Sequence, residues 1–434
     1  MLLELGLLLG VSIVGLIICL RTAAAGRERR AASRLTPAYI STAIQHLHPR
    51  CAVNSVSIPS IARCGDGKAS TTDRIELLVR WTDKDSQAAA GVPERMILKC
   101  SLLPSLLRMG ASPRVIEATG RMTSWLAVAG LDRSVFKLMN LYHYYFPHAP
   151  DAMYSNETLF YRTIRPELPA ELVAPAVYGT IYDERCSDYG ILMQDLKLAG
   201  ARFPTAADEL SLLQMRQLLE SYAALHARFW ESGRFETDLS WVPTVHAGGM
   251  APVFNAIGFG LIRDHVESNP FEQEALAPLG RTVERLWAGL KNAELLLGSA
   301  PVTLCHGDSH IANTYILPDG TVGLFDWQLT LRASWARDIS YILGTALPPA
   351  LRKQHERALL VEYLKQLHKR LPAHQRPPEE EQAWQLYCQA MAWGLVIGWL
   401  ICPPVNYGQK IWLANVNRLV AACVDLKTFD LLRC

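Results

Sequence analysis

From Val53 onward the chain alternates apolar and polar residues in short runs. A period of two predicts strands at Val53–Pro59, Arg74–Trp81 and Arg95–Ser101. Thr36–Leu47, ahead of them, reads as a helix, and a polar stretch, Arg63–Asp73, joins the first two strands. Asn156–Ile164 reads as a short helix rich in aromatics, followed by strands at Ala176–Tyr182 and Tyr189–Asp195. After Leu196 the period changes. Thr205-Ala-Ala-Asp208 resembles a capping box, and Leu210, Leu213, Leu218, Tyr222, Leu225 and Phe229 recur at helical spacing. Further helices are predicted at Thr282–Leu297, Ala350–Leu371 and Ile411–Leu432, with short strand-like pieces at Thr303–Cys305, Thr314–Leu317 and Thr321–Phe325. A strand-rich part followed by a helix-rich part, with a break near 195–200, predicts an α+β chain of two lobes, 36–195 and 196–434.

Two longer apolar stretches stand outside this alternation. Leu5–Leu20 is unbroken by charge; no Lys or Arg precedes it, while Arg21, Arg27, Arg29, Arg30 and Arg34 follow. That asymmetry predicts a transmembrane helix within residues 1–30 as a single-pass membrane anchor, with the rest of the chain facing the cytoplasm. A signal peptide cut near Ala23-Ala24-Ala25 is the competing reading. Ala383–Cys402 contains Gln385 and Gln389 and stops at Pro403-Pro404, which predicts a buried core helix rather than a span.

Composition narrows the classes. Half of the residues are hydrophobic and 19% charged, so the chain builds a core and is not a disordered protein. The 43 basic and 41 acidic residues nearly cancel, which excludes an overall basic field for nucleic acid. The ten cysteines form neither Cys-x-x-Cys nor a zinc-ligand spacing, so they read as reduced, mostly buried thiols.

The candidate chemistry lies in Leu304-Cys-His-Gly-Asp308-Ser-His-Ile-Ala-Asn313, continuing to Gly323-Leu-Phe-Asp326-Trp327. A turn at Pro318-Asp319-Gly320 predicts a hairpin, with Asp308 and Asn313 on the loop before it and Asp326 at its far end. A carboxylate to accept the proton of an attacking hydroxyl, and an amide oxygen with a second carboxylate to hold magnesium, are what phosphoryl transfer requires. The steps from Asp308 to Asn313 and on to Asp326 match the kinase catalytic loop and its metal-binding aspartate. Lys99, in Met96-Ile-Leu-Lys99-Cys100, is a strand lysine suited to nucleotide phosphates once such a loop is present.

The segment resembles the His-Gly-Asp-x-x-x-x-Asn motif of the aminoglycoside phosphotransferase and choline kinase superfamily, which has a protein-kinase-like fold. Within it the chain most resembles the ecdysteroid-kinase-like branch and its bacterial relatives. The matches are Asp326-Trp327-Gln328, Trp335-Ala-Arg-Asp338, Leu225-His226-Ala227-Arg228-Phe229-Trp230 and Asn156-Glu157-Thr-Leu-Phe160-Tyr161-Arg162. The resemblance implies a bilobal fold and a kinase using MgATP or another nucleoside triphosphate. It implies Asp308 as the catalytic base, Asn313 and Asp326 as metal ligands, and Glu157 as partner of Lys99, with Glu117 as the other candidate. It also implies His306 and Asp338 as braces, and an adenine-facing hinge at Gln194 and Leu196. The loop Arg63–Asp73, which should cover the phosphates, lacks Gly-x-Gly-x-x-Gly.

Gly307 stands where protein kinases carry an arginine, and only eight positions separate Trp327 from Trp335. A small-molecule alcohol is therefore the expected acceptor. Residues 383–434 carry only two acids, Asp425 and Asp430, beside Trp384, Trp393, Trp399, Tyr407 and Trp412, so an apolar, steroid- or lipid-like alcohol fits better than a polycation. A catalytically silent kinase-fold scaffold at the membrane and a protein kinase are the alternatives. The sequence leaves the oligomeric state open.

Overall fold

The computed structural model describes residues 27–63, 72–102, 151–402, 404 and 407–434. The apolar run 5–20, Glu117, and the glycines and hydroxyls of 64–71 lie outside them. Among the described residues no helix is long and apolar enough to cross a membrane.

Helices α1 (Arg27–Arg34) and α2 (Pro37–Gln45) lead into strands β1 (Val53–Arg63) and β2 (Asp73–Trp81), short helix α3 (Lys84–Ala90) and strand β3 (Arg95–Cys100). Helix α4 (Asp151–Leu159) then precedes the hairpin β4 (Val177–Asp183) and β5 (Asp188–Met193). The five strands form one antiparallel sheet in the order β1-β2-β3-β5-β4. Alternation decides its faces. Met96, Leu98 and Cys100 of β3 join Ile75, Leu77 and Val79 of β2 in a core closed by Ile40 and Ile44 of α2. Lys99, between two of those residues, points the other way.

The remaining helices are α5 (Leu212–Arg228), α6 (Ala251–Ser268), α7 (Pro270–Leu276), α8 (Val283–Leu297), α9 (Ala336–Ala346), α10 (Pro349–Arg370), α11 (Glu380–Trp393), α12 (Gln409–Asp425) and α13 (Thr428–Leu431). They surround two small antiparallel pairs, β6 (Val302–Cys305) with β9 (Leu331–Ser334), and β7 (Thr314–Ile316) with β8 (Val322–Leu324). The result is an α+β fold of two parts, one sheet-rich and one helical. The seam differs from a cut at residue 195. Phe160, Tyr161 and Ile164, which follow α4, pack into the large core of the helical part, as does Ile191.

Three local outcomes differ from the sequence pattern. The Thr205/Asp208 box closes on itself as a turn, with Thr205 N and Oγ1 both donating to the Asp208 carboxylate at 2.7 and 2.8 Å. The helix starts only at Ser211, which forms the capping box with Gln214. The reason is tertiary: Leu210 N–H is drawn to the carbonyl of Ala346 at 2.9 Å, so the backbone there is not free to coil. Second, α11 continues into a π-helical stretch, Gly394–Leu400, as another does at Phe160–Ile164 after α4. A Cβ on Gly394 would stand 2.7 Å from the Tyr341 ring and one on Gly398 2.5 Å from its hydroxyl, so the missing side chains admit that tyrosine against the helix. Third, α6 and α7 carry no simple helical pattern.

Candidate active site

Strand β3 carries Lys99 into the space between sheet and helices. Its Nζ lies 2.8 Å from Glu157 of α4 and 3.0 Å from Asp326 Oδ1, which follows β8. The long excursion between Lys99 and Glu157 therefore closes on a direct ion pair. All three side chains are largely withdrawn from water, Glu157 the most. Burial drives the Glu157 carboxyl up to about 7; Lys99 opposes this and Asp326 adds to it. Asp326 adopts a left-handed backbone, φ 66°, a conformation that aspartate tolerates better than most residues and that gathers at functional sites.

The loop after β6 supplies the other half. Gly307 takes φ 84°, and a Cβ there would stand 2.0 Å from the Leu329 carbonyl oxygen, so only glycine fits. Asp338, in the first turn of α9, accepts hydrogen bonds from His306 N (2.7 Å), Gly307 N (3.0 Å) and Ser309 Oγ (2.6 Å), and lies 3.3 Å from His226 Nε2. Tyr363 hydroxyl holds the other His226 nitrogen at 2.8 Å. Burial opposes ionisation of Asp338, but His226, His306 and Ser309 outweigh it and hold the carboxyl below its ordinary range. These bonds fix the loop from beneath.

His306 is buried and does not reach toward solvent. Its Nε2 donates to the Phe325 carbonyl at 3.0 Å, and its Nδ1 accepts from Asp308 N at 3.3 Å. Burial lowers the pKa of the ring, against the pull of Asp338 and Asp308. It packs against Trp327, centroids 4.4 Å apart, and Phe160 stacks on Trp327 at 4.0 Å. A ring sandwich thus ties α4 to the loop. Asn156 adds a clamp, its Nδ2 donating to the carbonyls of Gln328 (3.0 Å) and Thr330 (2.8 Å).

Asp308 itself is held on its flanks. Asn313 Nδ2 donates to both its backbone carbonyl and its Oδ2, each at 2.9 Å, and His310 Nε2 stands 3.5 Å from Oδ2. Burial pushes its carboxyl up, but His310, His306 and Asn313 prevail and hold it down, so it is ionised at neutral pH. Phe325 N–H donates to the Asn313 carbonyl at 3.1 Å, and β7 and β8 pair Thr314 with Leu324. Asn313 and Asp326 are therefore brought to the same end of the hairpin. The Asn313 amide nitrogen is spent on Asp308, which leaves its Oδ1 and the Asp326 carboxylate as hard oxygen donors of the type magnesium selects.

At the hinge, Gln194 N–H donates to the Ala176 carbonyl, and the Leu196 carbonyl accepts from Ala201. The Gln194 carbonyl and the Leu196 N–H have no backbone partner among the described residues. Asp195 is anchored by Arg74 at 2.9 Å.

Beside Gly307 opens a solvent-connected cleft lined by Met250 and Phe254 of the α6 segment, Leu329 and Leu331, and Trp393 and Ile397. Of the aromatics expected near an acceptor site, Trp393 lines this cleft. Trp399 and Tyr407 pack beside each other, Trp399 with its ring 5.7 Å from His310. Trp412 is core, and Trp384 stacks on Tyr387. The sequence does not mark out Arg337 or Lys291, and it offers His310 only as half of a weak i, i+4 metal pair with His306. Arg337 lies inside the Trp335–Asp338 motif, but no pattern distinguishes it there.

Among curated proteins none matches this sequence. Among solved structures the chain is similar to Plasmodium vivax ethanolamine kinase (13% identity, 85% of this chain and 81% of that one, TM-score 0.40). It is also similar to choline kinase from Cryptosporidium parvum (10%, 87% and 89%, 0.39) and to aminoglycoside phosphotransferase from Alicyclobacillus acidocaldarius (14%, 86% and 91%, 0.35). Residues 289–375, which hold Asp308, Asn313, Asp326 and Asp338, match the model of the ecdysteroid kinase-like family. The family whose model the chain matches is thus the one its motifs resemble.

Proposed function

We propose that this chain is a magnesium- and nucleotide-dependent phosphotransferase acting on the hydroxyl of a small, largely apolar alcohol. One observation carries the reading: Lys99, Glu157 and Asp326 meet in one ion-paired cluster, and Asn313, bonded to Asp308, is tied to the same hairpin end. Lys99 places nucleotide phosphates, and Glu157 steadies its ammonium. Asp308, ionised and held by Asn313, accepts the hydrogen bond of the acceptor hydroxyl and aligns its oxygen for in-line attack. Its low proton affinity makes orientation its main task, with the proton taken up late. Asn313 and Asp326 would hold magnesium, which supplies charge neutralisation on the transferring phosphate. Gln194 carbonyl and Leu196 N–H suit an adenine edge, which favours ATP. The Met250, Phe254, Trp393 and Ile397 lining supports an apolar acceptor body.

The test is thermal unfolding of the full chain with ATP, magnesium, both or neither. Ligand at 100 times its dissociation constant stabilises the native state by about 2.7 kcal/mol, so a rise of several degrees with both is expected, and a much smaller one for Lys99→Met. No magnesium-dependent rise in the wild type would turn the reading toward a silent scaffold.

The apolar run 5–20 and the arginines after it support a membrane tether with the kinase-like domain on the cytoplasmic side. Fractionation of cells expressing the full chain should place it in the membrane pellet, resistant to high salt. Recovery in the soluble fraction would remove the tether from the reading.

A further inference from the structure

The cleft beside Gly307 holds a cation that no acid pairs with directly, although Glu294, Asp338 and Asp308 lie near enough to act on it. Arg337 of α9 is 7% exposed, yet its guanidinium makes no hydrogen bond or ion pair among the described residues, and its Nε is buried without a partner. Its Cζ lies over the Trp393 ring, 3.7 Å from the ring centre. That contact covers a face and leaves the N–H edge, the part that forks around an oxyanion, without a protein partner in a residue that lines the cleft. Burial lowers its pKa to about 10, so it is still a cation at neutral pH.

Its charged neighbours do not neutralise it. Lys291 lines the same cleft and is held by Glu294 (2.9 Å) and by Asn255 Oδ1 (2.6 Å). Glu294 is therefore already engaged with one cation, and the lining carries two positive groups against one negative. Asp338, next in sequence, has its oxygens turned to the catalytic loop. Arg337 also occupies the first turn of α9, where the helix dipole disfavours a cation. A buried, unpaired cation at a helix start is unfavourable in three ways. One bound oxyanion relieves all three.

We infer that the cleft binds the anionic group of an amphipathic acceptor, a carboxylate, sulfate or phosphate gripped by Arg337, with the apolar body of the molecule against Phe254, Met250 and Ile397. This rests on the phosphotransferase reading and narrows its substrate class. The alcohol would be anchored by its anion at Arg337, with its hydroxyl offered across Gly307 to the neighbouring Asp308. A quaternary or primary amine should not fit a cleft of net positive charge.

The experiment is calorimetric titration of the full chain, in non-ionic detergent at fixed ionic strength, with cholate below its micellar range, phenyl phosphate, phenyl sulfate and choline. The wild type should bind at least one anion and not choline. Arg337→Met should weaken that binding roughly ten-fold or more, since a charge-assisted hydrogen-bond pair is lost, and Arg337→Lys should fall between. Without added anion, Arg337→Met should unfold no earlier than the wild type, because it removes an unpaired charge and keeps the packing on Trp393. The shift with MgATP should persist in that variant, which separates failure of this inference from failure of the nucleotide reading.

Equal anion binding by wild type and Arg337→Met would overturn the inference. So would choline binding in place of anions, or the absence of any anion binding in a wild type that responds to MgATP. A marked loss of stability in Arg337→Met, with no anion dependence in the wild type, would make the residue a structural brace. Should that variant not fold, the wild-type titration and Arg337→Lys still decide.

Discussion

Asp308→Asn lowers turnover by about 10²–10⁴-fold, the range for removing a positioned general base, and leaves the thermal shift with MgATP in place. The substitution is nearly isosteric. The backbone carbonyl of residue 308 still accepts from Asn313 Nδ2, and the new amide oxygen can accept the second bond now made to Oδ2. The loop therefore keeps its shape while the negative charge that orients a hydroxyl disappears. On the proposed reading nucleotide binding rests on Lys99, Glu157 and the hairpin end; Asn313 there touches the exchanged carboxylate at 2.9 Å and keeps that bond through the amide oxygen. Coupled measurement of nucleotide consumption and acceptor phosphorylation reads the effect. A variant within two-fold of wild type would take Asp308 out of the reaction.

The second large effect is on the fold. Asp338→Ala costs about 3–5 kcal/mol, the penalty for deleting one side of a buried charged network. Three donors, His306 N, Gly307 N and Ser309 Oγ, lose their acceptor at once, and His226 loses its own. All four residues are buried. Asp338→Asn keeps the shape but turns one acceptor into a donor, so it should fall between alanine and wild type. Urea midpoints at constant slope measure both. A wild-type midpoint for the alanine variant would mean the loop is held from elsewhere, chiefly by Trp327 and Phe160.

Much of this arrangement is legible in the residues because it is local. The spacing of Asp308, Asn313 and Asp326 and the turn at Pro318-Asp319-Gly320 specify a loop and hairpin with little help from the rest of the chain. The turn forms, with Leu317 and Gly320 bonded back across it. Lys99 is legible because a strand alternates: with Leu98 and Cys100 in the core, the lysine has to face the other way. Glu157 against Glu117 is a question of distance in space, and no period answers it; the Glu157 ion pair is visible only in the folded chain.

What escapes the sequence is tertiary. Thr205/Asp208 and Ser211/Gln214 are equivalent as cap patterns, and the bond from Leu210 to Ala346 selects the second. Helix α6 hides behind Pro252, Gly258 and Gly260, which read as breakers. Yet a Cβ on Gly258 would stand 2.9 Å from the Trp287 ring, so there the glycine serves close packing. Arg337 is the limiting case. Its charge is plain in the sequence, but its lack of a counter-ion is a property of its surroundings.

The position of Lys99 between Glu157 and Asp326 has a consequence for how the chain waits. An ammonium occupying the gap between two acids does the work that a divalent ion would do there, so the cluster keeps its shape in the absence of any metal. On the proposed reading, loading a nucleotide with magnesium would exchange one cation for another, with Asp326 freed for the metal and Lys99 for phosphate. A domain built this way is stored ready and does not have to assemble itself around its cargo.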